Sequence, residues 1–172
     1  VAAYERAIRA AGHSSFGHDF TRFAADVAEW RTGIGFRESY LYPDVPRRGT
    51  LALGAPPVTR HLNHTTFTLL GVHAPRGRAV EVRVSAPAGV AAGLALVGRL
   101  GSERRGRTVK AIDYSRTGGA LTAHLADPGR FQRVTAVVVN ADASAAGYSA
   151  RRLDWRYLTD ETPFRVSGRI VR

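Results

Sequence analysis

The hydrophobic period of the chain changes once. Up to Pro43 apolar residues recur at helical spacing, and from Val58 to the C-terminus they alternate with polar ones, with a proline-rich stretch between. Tyr4, Ala7, Ile8 and Ala11 share one helical face, and Gly12 is placed to end that helix. Ser14 or Ser15 can cap a second helix with Asp19 in its early turns. Phe16, Phe20, Phe23, Val27 and Trp30, spaced by four, three, four and three, form the stripe this helix is expected to bury, and Gly33 is its natural stop. The preceding helix offers the stripe too little surface, so it is expected to pack on the downstream domain or on an upstream one.

Residues 1–43 therefore read as a helical segment and residues 44–57 as a connector, with Asp44-Val45-Pro46 extended and Ala55-Pro56-Pro57 closing it. Residues 58–172 read as strands. Val80, Val82 and Val84 alternate with Glu81 and Arg83, and Leu121, Ala123 and Leu125 alternate with Thr122 and His124 before a turn at Asp127-Pro128-Gly129. Val134–Val139 is apolar on both faces, which marks a central strand. Leu153, Trp155 and Tyr157 alternate with arginines and Asp154, and 65–72, 93–100, 108–114 and 164–170 complete the set. About eight short strands with polar turns predict a mainly β fold, an antiparallel β-sandwich preceded by a short α-helical segment.

At 172 residues with 44% hydrophobic and 23% charged positions, the chain is long enough to bury a core and is not of disordered composition. No apolar run approaches the roughly 20 residues that cross a bilayer. Cysteine is absent, which excludes disulfides, thiolate metal sites and cysteine nucleophiles. Methionine is absent too, so the expectation is a processed product or a piece of a longer polypeptide. Residues 1–50 carry seven Arg against six acids and residues 51–172 carry 18 basic residues against eight acids, so +10 of the net +11 falls in the strand-rich part. That balance suits polyanions, although Arg excess with abundant Ala, Gly and Val is also what a GC-rich coding sequence produces. Nucleic acid is not the expected partner, because no nucleic-acid-binding module is visible.

Candidate chemistry is sparse. His61 and His64 would be paired zinc ligands on a helix, but three residues apart on a strand they point to opposite faces. Asn140 and Asp142 have the alternating oxygen donors of a calcium loop, and equally the chemistry of a turn. Arg99, Arg104, Arg105 and Arg107 surround one expected hairpin tip, the candidate anion-binding site. No Gly-x-Ser-x-Gly is present, and Gly101–Gly106 lacks the Lys-Ser/Thr ending of a phosphate loop. No catalytic residue is assigned.

The run Ala3–Ile8, then Gly12–Ala24 and Trp30, resembles the last helices of secreted bacterial zinc metallopeptidase-like proteins of the thermolysin-like class. Gly54–Thr59 with Leu62–Thr66 resembles the linker and first strand of the sandwich that follows them, and Arg133–Asp142 is similar to its late core strand. In such proteins zinc is held by His-Glu-x-x-His and a downstream Glu on earlier helices. No His-Glu-x-x-His occurs here, so no catalytic residue carries over.

The resemblance implies a non-catalytic C-terminal accessory region of an exported, secreted or cell-surface hydrolase, assisting folding, substrate presentation or surface attachment. It implies no cofactor in this segment, with zinc belonging to the parent protein only. The implied partners are an upstream peptidase-like domain and an anionic cell-surface polymer or a protein substrate. The alternative is a stand-alone binding or structural module of the cell surface or of an extracellular assembly.

Overall fold

A computed structural model describes residues 16–34, 49–63, 66–75, 78–100, 107–126, 133–142 and 162–171. They form one helix, α1 (Phe16–Ile34), and nine strands: β1 (Gly49–Leu51), β2 (Val58–Leu62), β3 (Thr66–Val72), β4 (Ala79–Ala86), β5 (Ala92–Leu100), β6 (Arg107–Ser115), β7 (Gly119–Leu125), β8 (Arg133–Asn140) and β9 (Thr162–Val171). The strands make a five-stranded sheet, β1-β3-β8-β5-β6, and a four-stranded sheet, β2-β9-β4-β7. Every pairing within them is antiparallel except β1 with β3. The mainly β, two-sheet expectation holds, with nine strands among the described residues instead of about eight. The expected strand at 153–157 and the expected helix before Gly12 lie outside the described residues.

Alternation explains the core. Val80, Val82 and Val84 of β4, Leu121 and Ala123 of β7, and Phe164 and Val166 of β9 face Leu70, Leu94, Leu96, Ala136 and Val138 of the larger sheet. Among the described residues Phe164 is the largest of the fully buried side chains. β8 lies at the centre of the five-stranded sheet, and its doubly apolar sequence serves two contacts. Ala136 and Val138 face the sandwich interior, while Val137 and Val139 face α1.

Both open sides of the sandwich are tied. On one side the chain runs from β1, at the edge of the larger sheet, to Leu53, which bridges Gly168 of β9 in the smaller sheet. Gly54 then turns with φ of 79° and donates its N–H to Gly168 O at 2.8 Å. A Cβ at Gly168 would lie 2.8 Å from Leu53 Cδ2, so the bare glycine lets this crossing segment lie flat on β9. Residues expected to be a proline-rich connector thus include a sheet edge. On the other side Asp113 of β6 accepts the Thr122 N–H of edge strand β7 through Oδ2 at 2.8 Å. That contact occupies a backbone donor otherwise open to edge-to-edge pairing.

The helix packs on the outer face of the larger sheet, against β5, β6 and β8, but not by the expected stripe. Phe23 is 46% exposed, and Phe20 and Val27 are half-buried. The side chains of Phe16 and Trp30 lie outside the described residues. The buried face is Gly17, Thr21, Ala24, Ala25 and Ala28, one residue further along and so rotated by about 100°. The physical reason is close approach. Beneath the helix β5 presents Gly93 and Ala95, and small residues on both sides bring the two backbones together. A Cβ at Gly93 would lie 2.0 Å from Thr21 Oγ1, and one at Gly17 would lie 2.3 Å from the Tyr114 hydroxyl. Thr21 Oγ1 donates to Gly17 O at 2.7 Å, which satisfies the hydroxyl within the buried contact. At the exposed margin Lys110, the one lysine of the chain, pairs with Asp26 of the helix. The displaced aromatics cluster beside this contact, with Phe20 stacked on Phe23 and edge-on to Phe67, both at 6.2 Å between ring centroids.

Candidate functional site

The smaller sheet has one buried and one outward face, and pairing register fixes what the outward face displays. Thr59, Arg165, Ser85 and Ala120 form one cross-strand row, Ser167, Arg83 and Thr122 the next, and Arg169, Glu81 and His124 the third. Arg83, Arg165, Arg169, Ser85, Thr59, Thr122 and His124 are all exposed. Among the described residues the face is a field of guanidinium and hydroxyl groups around one carboxylate.

Glu81 organises it. Its side chain is only 12% exposed, and Oε1 accepts from Arg83 Nε at 2.6 Å and from Arg169 Nε at 2.8 Å. Oε2 accepts from Arg169 Nη2 at 3.2 Å. The hydrogen bonds from Arg169, followed by those from Arg83 and the charges of both, hold the Glu81 carboxyl below the usual carboxylate range against the opposing effect of its burial. The same pairing raises Arg169. Two long side chains are thereby fixed through their Nε atoms while their planes stay at the surface, with Arg83 and Arg169 side chains 55% and 56% exposed. The cluster joins residues 88 positions apart in sequence, which is why reading along the chain missed it. The usable signal was the outward phase of β4 and β9, which places Glu81 with Arg83, and Arg165 with Arg169, on solvent-facing positions.

The residues singled out from sequence are placed as follows. His61 is exposed near the end of edge strand β2, opposite Pro163, and His64 lies outside the described residues. Among the described residues no three His, Asp or Glu side chains gather as metal ligands. Asn140, fully buried, closes β8: Nδ2 donates to Leu62 O at 3.1 Å and Oδ1 accepts from Asp142 N at 3.1 Å. Its amide therefore clamps the end of β2 to β8 and caps the following turn, the work expected of a turn-forming Asn. Beside it, Asn63 Oδ1 is enclosed and has no hydrogen-bonding partner among the described residues. β5 and β6 are antiparallel neighbours, with Arg99 opposite Thr108 and Arg107 opposite Leu100 in backbone register. Arg104, Arg105 and the side chains of Arg99 and Arg107 lie outside the described residues. None of the helices among the described residues is long and apolar enough to cross a membrane.

No protein-family model and no curated protein matches the chain. Among solved structures, the chain is similar to the pre-peptidase C-terminal domain of collagenase from Bacillus anthracis, with a TM-score of 0.44 and 7% identity over 72% of this chain and 95% of that one. It is also similar to CorA of Methylomicrobium album BG8, a surface-associated copper-binding protein, with a TM-score of 0.42 and 9% identity over 73% of this chain and 100% of that one. At these values the likeness assigns no family and carries no site.

Proposed function

We propose that this chain is a non-catalytic accessory region of an exported metallopeptidase-like protein, located outside the cell or at its surface. In this reading it supports the folding of an upstream peptidase domain, presents substrate to it or attaches it to a surface. The sequence resemblance of Gly12–Ala24, Gly54–Thr59 with Leu62–Thr66, and Arg133–Asp142 motivates it. The single observation that supports it best is where the polar chemistry sits. Aliphatic side chains and Phe164 fill the space between the sheets, while the polar groups of the smaller sheet stand in rows on its exposed outward face. An exposed polar sheet face suits recognition of a surface, whereas small-molecule chemistry favours an enclosed cleft.

The test is to capture the native protein from the producing cells with an antibody raised against the folded chain, then to measure intact mass, zinc content and protein hydrolysis. A larger polypeptide carrying zinc and peptidase activity, with this chain at its C-terminal end, is the expected result. A native product of about this mass without hydrolytic activity would reject it in favour of a stand-alone binding module. Zinc implied for the parent protein would then have no place in the description.

A further inference from the structure

We propose that the outward face of the smaller sheet, centred on Arg83, Arg165 and Arg169, binds a linear acidic polysaccharide through its carboxylates. This rests on the reading of the chain as a surface-binding accessory region and names the ligand such a region would hold.

Charge and geometry carry the argument. Among the described residues the face has three arginines against one acid, and that acid is already bonded to two of them. Among the described residues Arg165 makes no ion pair or hydrogen bond and Arg83 uses only Nε, so the terminal N–H groups of both meet no acceptor there. Guanidinium groups recognise carboxylates with two parallel hydrogen bonds. The register places the three in a staggered row: Arg165 and Arg169 flank Ser167 on β9, and Arg83 lies opposite Ser167 on the neighbouring strand β4, about 4.8 Å to the side. With about 3.4 Å of rise per residue, the row extends about 14 Å along the strand, a track and not a pocket.

The row is also prepared. Glu81 fixes Arg83 and Arg169 before any ligand arrives, which removes part of the side-chain ordering cost that exposed arginines otherwise meet on binding. Between and beside the guanidinium groups stand the hydroxyls of Thr59, Ser85, Ser167 and Thr122, which can donate to and accept from sugar hydroxyls. Single-stranded nucleic acid, the competing polyanion, is held by stacking its bases on aromatic side chains. The described outward positions of β4, β7 and β9 carry no Phe, Tyr or Trp.

The experiment is affinity electrophoresis of the whole chain through gels containing polygalacturonate, neutral dextran or single-stranded DNA, at several salt concentrations. Retardation is expected in polygalacturonate and not in dextran, falling as salt rises. Arg165→Ser should weaken it about three- to fivefold, the effect of one exposed charge contact, and Arg83→Ser with Arg165→Ser by about tenfold or more. Arg22→Ser, which removes the same charge from the exposed side of α1, should leave it unchanged. Melting curves confirm that each variant is folded. Equal loss with Arg22→Ser reduces the effect to net charge and overturns the site. No retardation in polygalacturonate, or stronger retention by DNA lost in the same variants, overturns the ligand. A peptidase parent found together with absent glycan binding rejects this inference alone. Glycan binding lost with Arg165 in a protein that has no peptidase domain rejects the accessory reading and leaves this site standing.

Discussion

Replacing Gly93 with alanine tests the seat of α1 on the sheet. The new Cβ would meet Thr21 Oγ1 at 2.0 Å, Cγ2 at 2.7 Å and Cβ at 2.8 Å. Thr21 is fully buried and its hydroxyl is bonded to Gly17 O at 2.7 Å, so rotating it away costs that bond. Ordinary carbon contacts lie at about 3.5–4.0 Å, so the helix must lift by about 1 Å, loosening Ala24, Ala25 and Ala28 from Ala95, Val137 and Val139. Overpacking of this kind costs about 1–3 kcal/mol. For a chain of this length each kcal/mol lowers Tm by about 2–4 °C, giving an expected fall of about 2–12 °C. Urea and thermal unfolding followed by circular dichroism measure it. Thr21→Ala removes two of the three offending atoms, so the double variant Thr21→Ala with Gly93→Ala should lose less than the sum of the singles, with a coupling of about 0.5–3 kcal/mol. A Gly93→Ala protein that melts with wild type, or a double variant whose losses simply add, would refute the close seat.

Phe164→Ala should destabilise by about 3–5 kcal/mol, because the ring is fully buried between the sheets. Phe23→Ala, at a half-exposed ring stacked on Phe20, should cost about 1 kcal/mol, and equal effects in urea titrations would contradict the assigned helix face. Gly118→Ala places a Cβ 2.0 Å from Pro87 O at a φ of 76°, whereas Gly54→Ala, at 79°, meets open space. Both therefore bear the left-handed penalty of about 1–2 kcal/mol, and differential scanning calorimetry should find Gly118→Ala much the worse. Glu81 has a lowered folded pKa, so its stabilisation is present above the ordinary glutamate range and is lost as acid protonates it in the fold. Glu81→Gln should be less stable than wild type at neutral pH and the gap should close on acidification; a gap that widens instead would reverse the assignment. Asn140→Ala should cost about 1–3 kcal/mol through the two lost hydrogen bonds. Chelator should leave wild-type Tm unmoved, and a chelator-induced drop as large as that of the mutation would make Asn140 and Asp142 cation ligands.

The sequence by itself determined the mainly β class of the fold and most of its described elements. Period-two alternation in β4 and β7 assigned inward and outward faces residue by residue, since a strand side chain has only two directions to take. The doubly apolar run of β8 announced a strand covered on both sides, and the helix was legible in its length. Helical phase was not legible. A face of Gly, Thr and Ala gives no hydrophobic signal beside a stripe of Phe and Val, and the small face won because Gly93 and Ala95 lie beneath it. β1 was also hidden, three residues long inside the expected connector, since pairing with distant β3 makes it a strand. The arginine track shows the same division. Alternation placed Arg83, Arg165 and Arg169 in solvent, but only the antiparallel register of β4 with β9 brings Glu81 to Arg169 and aligns the three. Local sequence sets which way a side chain points, and only tertiary pairing decides what stands next to it.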